Sequence, residues 1–153
     1  MKKVKSFLSF LALFLILFIY FINQNQHMHS SSTGMDHDQV HIPEGYLIPS
    51  VEILVQQDQS ATWLLKLEVK NFEFAPEKVG DNLESYNEGH AHLFINGIKI
   101  NRLYGEYYNL GSLKPGEKEI KVSLHSNNHG ALVVKGNRIE DSTLVKVPSF
   151  IIK

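Results

Sequence analysis

Short runs of alternating apolar and polar residues dominate the chain from residue 43 onward. Successive side chains of a β-strand point to opposite faces, so this alternation predicts strands that bury one face. Residues 51–55, 91–95 and 120–124 show the pattern most clearly, and turn residues such as those at 114–117 separate the runs. Seven or so short strands at this spacing predict an all-β fold over residues 43–153. The specific expectation is a Greek-key β-sandwich of the immunoglobulin or cupredoxin type.

The longest run, residues 62–74, changes parity along its length. Leu65, Leu67 and Val69 share one face of the predicted strand, whereas Phe72 and Phe74 fall on the other. A shift by one residue predicts a β-bulge or a bend in the strand.

The first 22 residues have a different pattern. Lys2, Lys3 and Lys5 precede an almost unbroken apolar run at residues 7–22, which approaches the roughly 20 residues needed to cross a bilayer. Bulky residues at 20–22 stand where a signal-peptide cleavage site needs small ones. We therefore predict that residues 1–22 are an uncleaved signal-anchor transmembrane helix, with a cleaved signal peptide as the alternative. The lysines predict a single-pass protein of the inner or cell membrane, with its carboxyl-terminal domain on the periplasmic or extracellular side.

Residues 23–42 are polar and show no hydrophobic period, which predicts a flexible linker. Imidazole and thioether groups suit copper better than hard cations, so the linker is a candidate for capturing metal. A plain solvated spacer is the alternative. The candidate linker ligands are His27, Met28, His29, Met35, His37 and His41.

Two histidines lie beside a predicted hairpin in the segment EGHAHLFING, residues 88–97. His90 and His92 are two residues apart and therefore project from one face of a strand. Asn96-Gly97 is typical of a type I′ turn, which requires two positive φ angles. Because Ala91 and the apolar residues that alternate with it are predicted to face the core, we expect His90 and His92 to be reachable from solvent. Phe94 would cover them.

The predicted domain contains two further histidines, His125 at the end of a strand on its outward parity and His129 in the following SNNHG loop. If the two strands are neighbours, three or four imidazoles converge at one end of the sandwich. Three histidines with water are a known zinc set, and Cu(II) accepts the same donors. The predicted metal ligands are His90, His92 and His129, with His125 as a weaker candidate. The alternative is structural: the histidine pair hydrogen-bonds the preceding loop, and His129 caps a turn.

The composition of the chain and the motifs that it lacks exclude several classes of function. The absence of cysteine excludes disulfides, thiol catalysis and His₂Cys blue-copper centres, and a formal net charge of -1 without a basic cluster argues against nucleic acid. No G-x-S-x-G, H-E-x-x-H or phosphate-binding glycine loop occurs, so we do not expect an enzyme. The prediction is a membrane-anchored extracytoplasmic metal-binding protein, with copper first and zinc as the alternative. The rival is a metal-free module that docks another envelope protein through Tyr104, Tyr107 and Tyr108.

The strings NFEFAPE (71–77), EGHAHLFINGIKINRLYG (88–105), LKPGEKEIKVSLHSNNH (113–129) and GNRIEDS (136–142) resemble a group of uncharacterised exported bacterial domains. Those domains pair a G-H-x-H-L-[FY]-[IV]-[ND]-G hairpin with a later N-x-H loop, and the resemblance covers most of residues 43–147. It implies export, a preceding His/Met-bearing stretch and a likeness to cupredoxin-like periplasmic copper-handling proteins. His125 stands where the relatives are expected to carry Asn. The residues that match the shared motif are His90, His92, Arg102, Tyr104, Asn127 and His129.

Overall fold

The computed structural model describes residues 11–20 and 39–149, which belong to two separate compact units. Residues 11–20 are helical, and the rings of Phe14 and Phe18 stack within this helix with centroids 6.0 Å apart. In the described part of the chain, no helix has the length and apolar character needed to cross a membrane. Residues 1–10 and 21–22 of the predicted signal-anchor lie outside the described residues.

Residues 39–149 form a β-rich domain of eleven strands and one short 3₁₀ helix at Pro76–Lys78. The strands are β1 Gln39–His41, β2 Ser50–Gln57, β3 Trp63–Lys70, β4 Glu73–Phe74, β5 Glu88–Ile95, β6 Ile98–Leu103, β7 Tyr107–Gly111, β8 Gly116–His125, β9 Ala131–Val134, β10 Asn137–Arg138 and β11 Glu140–Val147.

The strands form two sheets that pack as a sandwich, as the all-β prediction expected. The smaller sheet has the order β2-β3-β7. The larger follows the path β1-β9-β8-β5-β4, with β6 paired to β5, β10 to β9 and β11 to β8. The backbone N–H of Ile53 in β2 donates a hydrogen bond of 2.8 Å to Asp141 of β11, which links the two sheets at one edge.

The apolar faces of both sheets meet in one core. The smaller sheet contributes β3 residues such as Leu65 and Leu67, and the larger sheet contributes Leu93, Val122 and Leu124, each of which is fully buried. The predicted alternation is therefore confirmed for β3, β5 and β8. In β5 and β8, every second residue points away from this core, to the outer face of the larger sheet, which carries the candidate site.

The parity change in residues 62–74 marks a larger break than the predicted bulge or bend. Asn71 adopts a positive φ of 53° after β3 ends, and the chain leaves the smaller sheet. After Phe72 the chain forms β4, Glu73–Phe74, which pairs in parallel with β5 of the larger sheet. One irregular residue thus lets a continuous apolar run serve both layers.

The predicted flexible linker needs a correction at its carboxyl-terminal end. Gln39–His41 is not linker but strand β1, which pairs in parallel with β9. Val40 is 1% exposed and belongs to the core cluster, so its burial fixes this segment to the domain. The rest of the predicted linker up to residue 38 lies outside the described residues.

The β5–β6 hairpin has the predicted turn, with φ of 50° at Asn96 and 76° at Gly97. The side-chain carbonyl of Asn96 also accepts a hydrogen bond of 2.9 Å from the backbone N–H of Glu119 in β8. The turn is therefore held to the strand on the other side of β5 as well as to its own hairpin.

Candidate functional site

Antiparallel pairing of β5 with β8 brings the domain histidines together. The register sets His90 opposite His125 and His92 opposite Ser123. Gly89 allows this close approach: its φ is 155°, and a Cβ at this position would overlap the backbone carbonyl oxygen of His125. The four predicted domain histidines therefore meet at one end of the larger sheet, on the face opposite the apolar core.

The rings form a compact cluster. His92 stacks on His125 with centroids 3.6 Å apart, and His90 lies 4.9 Å from His92 and 5.8 Å from His125. The ring of His129 approaches His90 edge-on at 5.3 Å. We call His90, His92, His125 and His129 the histidine cluster.

The predicted solvent accessibility of these histidines is wrong. His90 is 1% exposed, His92 6% and His125 8%, although all three face away from the core as parity required. The ring of Tyr104, 5.7 Å from His90, and the His129 loop cover one side of the cluster. Lys99 reaches His92 from β6. The second face of the sheet is therefore also covered, by polar and aromatic groups instead of an apolar layer.

The contact that defines the cluster joins the Nε2 atoms of His90 and His92, which are 3.0 Å apart. Lys99 Nζ lies 3.2 Å from the same His92 Nε2. An ammonium group can only donate, so His92 Nε2 is an acceptor here and His90 supplies the N–H of the other contact. Two donors thus converge on one imidazole lone pair, which marks His92 Nε2 as the point that attracts positive charge.

His125 has a fixed tautomer. Its Nδ1 lies 3.0 Å from the backbone carbonyl oxygen of His129, and a carbonyl can only accept, so Nδ1 carries the proton. Its Nε2 then accepts a hydrogen bond of 3.0 Å from the Ser123 hydroxyl. An N–H donated to a backbone carbonyl is the usual way in which a metal-binding histidine keeps its other nitrogen free of a proton.

The loop after β8 contributes two buried polar atoms that have no hydrogen-bond partner in the described chain, Asn127 Oδ1 and His129 Nδ1. His129 adopts a φ of 73°, which is uncommon for a residue with a side chain and directs its ring toward His90. The amide of Asn127 donates instead to Glu88, which forms an ion pair of 2.7 Å with Lys78. Asn127 therefore anchors the loop to the start of β5.

Burial and nearby positive charge keep the imidazoles neutral. Burial lowers the pKa of His90 to about 3, with further contributions from His125, His129 and the cations Arg102 and Lys99. Burial also lowers the pKa values of His92 and His129. The pKa of His125 falls to about 4 for the same reason, although its hydrogen bond to the His129 carbonyl opposes the shift.

The side chains around the cluster fit a metal ion in part. Two imidazole nitrogens on one ion at about 2.0–2.1 Å lie about 2.8–3.4 Å apart for angles of roughly 90–109°. The 3.0 Å separation of the His90 and His92 nitrogens falls in this range. Among the described residues, however, no three His, Cys, Asp or Glu side chains are already arranged to hold an ion. A third protein ligand requires a rotation of His129 or His125.

The remaining predicted ligands lie elsewhere. His41 projects from β1 and is exposed. The other five linker candidates, His27, Met28, His29, Met35 and His37, lie outside the described residues.

The three tyrosines proposed as a docking surface do not share one face. Tyr107 is 60% exposed, whereas the neighbouring Tyr108 packs against the core cluster and accepts a hydrogen bond of 3.1 Å from Asn101. Tyr104 lies beside His90 and is 36% exposed.

Two residues of the site were missed at the sequence level. Ser123 could have been predicted from the sequence, because it lies two residues before His125 in one strand and therefore shares its face. The position of Lys99 beside His92 could not have been predicted, because β6 carries an extra residue between Lys99 and Arg102 that shifts the register of the hairpin. The shift sets Arg102 opposite His92 and sends Leu103 into the core.

No family model, curated protein or solved structure matches the chain.

Proposed function

We propose that the protein binds a transition-metal ion, copper first and zinc as the alternative, at the histidine cluster. The observation that carries the proposal is the 3.0 Å separation of the His90 and His92 Nε2 atoms, which is a spacing that one ion can bridge. Neutral imidazole is the form that binds metal, and burial keeps these rings neutral at pH 7. His90 becomes a ligand when the proton on its Nε2 moves to Nδ1.

His90, His92 and His129 are the proposed ligands. His129 is the third because its buried Nδ1 lacks a partner within the domain and its ring already touches His90. His125 holds the ring of His92 in place by stacking on it. His125 would become a ligand itself if the Ser123 hydroxyl no longer donated to His125 Nε2. The site would coordinate the metal ion through imidazole nitrogen atoms alone, without a thiolate ligand.

The proposal extends to the whole chain. The His/Met segment before β1 captures the ion, residues 1–22 anchor the chain, and the sandwich is of the Greek-key, cupredoxin-like type on the outer side of the membrane. The apolar run and the preceding lysines support the anchor. Amino-terminal sequencing of the mature protein tests it, since a chain that begins near Asn23 would overturn the anchor and leave the metal site untouched.

Metal binding is tested with a linker-silent chain, defined as the full chain with His27, His29 and His37 changed to Gln and Met28 and Met35 changed to Leu. We expect this chain to bind Cu(II) in a competition titration with a chelator of known affinity. His90→Gln with His92→Gln should weaken that binding at least 100-fold, because second-shell losses alone already reach 10–100-fold.

The matched control is His41→Gln, which removes an exposed imidazole from the same domain and should leave the affinity unchanged. If the linker-silent chain binds copper and zinc equally well with and without His90 and His92, the proposed site is wrong.

The second candidate function is the metal-free envelope-protein interaction module with structural histidines. The burial and mutual hydrogen bonding of His90 and His92 favour it. A large distance between these histidines and His129 would favour it further, but the rings of His90 and His129 are 5.3 Å apart. The metal site therefore remains the better supported of the two.

A further inference from the structure

Two cations border the histidine cluster on strand β6. Lys99 reaches the cluster directly, with its Nζ 3.2 Å from His92 Nε2. Arg102 lies opposite His92 in the β5–β6 pairing. Residues paired across antiparallel strands project to the same face, so Arg102 shares the sheet face of His92.

Within residues 39–149, neither cation has a carboxylate at ion-pair distance. Other lysines of the same domain do: Lys66 pairs with Glu68 at 2.7 Å, Lys78 with Glu88 at 2.7 Å and Lys121 with Glu140 at 3.6 Å. The side of the cluster nearest the proposed ligands thus carries uncompensated positive charge.

Lys99 and Arg102 are exposed residues, but their charges lie next to the buried His90–His92 pair and oppose a divalent metal ion there, because like charges repel. Lys99 also occupies the His92 lone pair that a metal needs. An anion removes both obstacles: it neutralises the cations, and it offers the Lys99 ammonium another partner. Guanidinium groups bind carboxylate-type oxyanions with two parallel hydrogen bonds, which makes Arg102 suited to the second half of that task.

We propose that Lys99 and Arg102 form an anion site, so that the histidine cluster takes up its metal ion together with a small carboxylate-type oxyanion such as bicarbonate or acetate. The inference rests on the proposed metal-binding function. The anion bridges the metal and the two cations and supplies the coordination that the imidazoles leave open.

The test measures Cu(II) affinity of the linker-silent chain at pH 7, with free copper fixed by a competing chelator so that anion complexes in solution do not enter. The chain is titrated in bicarbonate, in acetate and in weakly coordinating perchlorate at equal ionic strength. We expect at least tenfold tighter binding in bicarbonate or acetate than in perchlorate. Lys99→Met with Arg102→Met should bring this ratio close to one, and it should tighten binding in perchlorate because the repulsion is gone.

Lys121→Met is the matched control. This substitution also removes one positive charge, from strand β8, but Lys121 is already paired with Glu140. The ratio of copper affinities in bicarbonate or acetate and in perchlorate should therefore stay unchanged. Equal affinity in all three anions, or an unchanged ratio in the double variant, would overturn the anion site alone. Copper binding that is absent, or independent of His90 and His92, would overturn the metal site and the anion site together.

Discussion

Acidification from pH 6.5 to 5 should strongly destabilise the metal-free domain. Burial holds the pKa of His90 near 3 and that of His125 near 4, whereas an unfolded histidine titrates near 6.5. Below pH 6.5 the unfolded state therefore binds more protons than the folded state, and stability falls with pH. The stability is fully present above pH 6.5 and is lost progressively toward the folded pKa values.

The magnitude follows from the pKa difference. Each such histidine costs about 1.4 kcal/mol per pH unit in this window, so from pH 6.5 to 5 His90 and His125 cost about 2 kcal/mol each. His92, whose pKa is lowered for the same reason, adds to the loss. Against a typical total stability of about 5–15 kcal/mol, a loss of about 4 kcal/mol or more is a large fraction.

The assay is urea unfolding of the full chain with chelator present, followed by tryptophan fluorescence of the buried Trp63 at half-unit steps from pH 7 to 5. The window stops at pH 5 so that most carboxylates stay ionised. His125→Gln should reduce the slope by one proton, about 1.4 kcal/mol per pH unit, and the exposed His41→Gln should not change it. An unfolding free energy that stays flat between pH 6.5 and 5 would refute the buried, neutral cluster.

Three further changes probe the frame of the site. Gly89→Ala should destabilise the domain by about 2 kcal/mol or more, measured by urea unfolding, because the new Cβ overlaps the His125 carbonyl oxygen; an unchanged midpoint would contradict the close approach of β5 and β8. Asn96→Ala should cost about 1 kcal/mol in the same assay, through the lost hydrogen bond to β8 and the positive φ, whereas Asn96→Gly should recover the φ part alone. His90→Leu with His92→Leu should leave stability at pH 7 within about 1 kcal/mol, since both partners of one buried hydrogen bond disappear together. At pH 5 the double variant should be more stable than the unchanged chain by well over about 2 kcal/mol, because the acid cost of both buried histidines is gone.

The strands with one apolar face were predictable because a period of two is a local property of the sequence. Ala91 and Leu93 lie in the core for that reason, and the Asn96-Gly97 turn follows from the two positive φ angles that this dipeptide tolerates. Strand β1 was not predictable in the same way. It has three residues, and its partner β9 follows about ninety residues later in the chain. No local pattern reports such a pairing.

The burial of the histidine face was missed for a related reason. Strand parity says which face a side chain takes, but the groups that cover that face come from other segments. Tyr104 and Lys99, which cover it, follow the β5–β6 turn in the chain. The register shift in the pairing of β5 with β6 cannot be predicted from the sequence. The outcome reverses the expected accessibility while it preserves the expected direction of His90 and His92.

The composition of the covered face bears on why it exists. A sheet face that only needed to be packed would be stabilised by apolar side chains, because buried polar groups give little net stability even when they are hydrogen-bonded. Here the described domain instead buries imidazoles that reduce its stability in acid, and it leaves Asn127 Oδ1 and His129 Nδ1 without hydrogen-bond partners. A cluster that lowers stability is expected where function requires it. The double leucine variant separates the two explanations: equal or greater stability without metal, combined with lost copper binding, identifies a functional site, whereas a loss of several kcal/mol at pH 7 identifies a structural one.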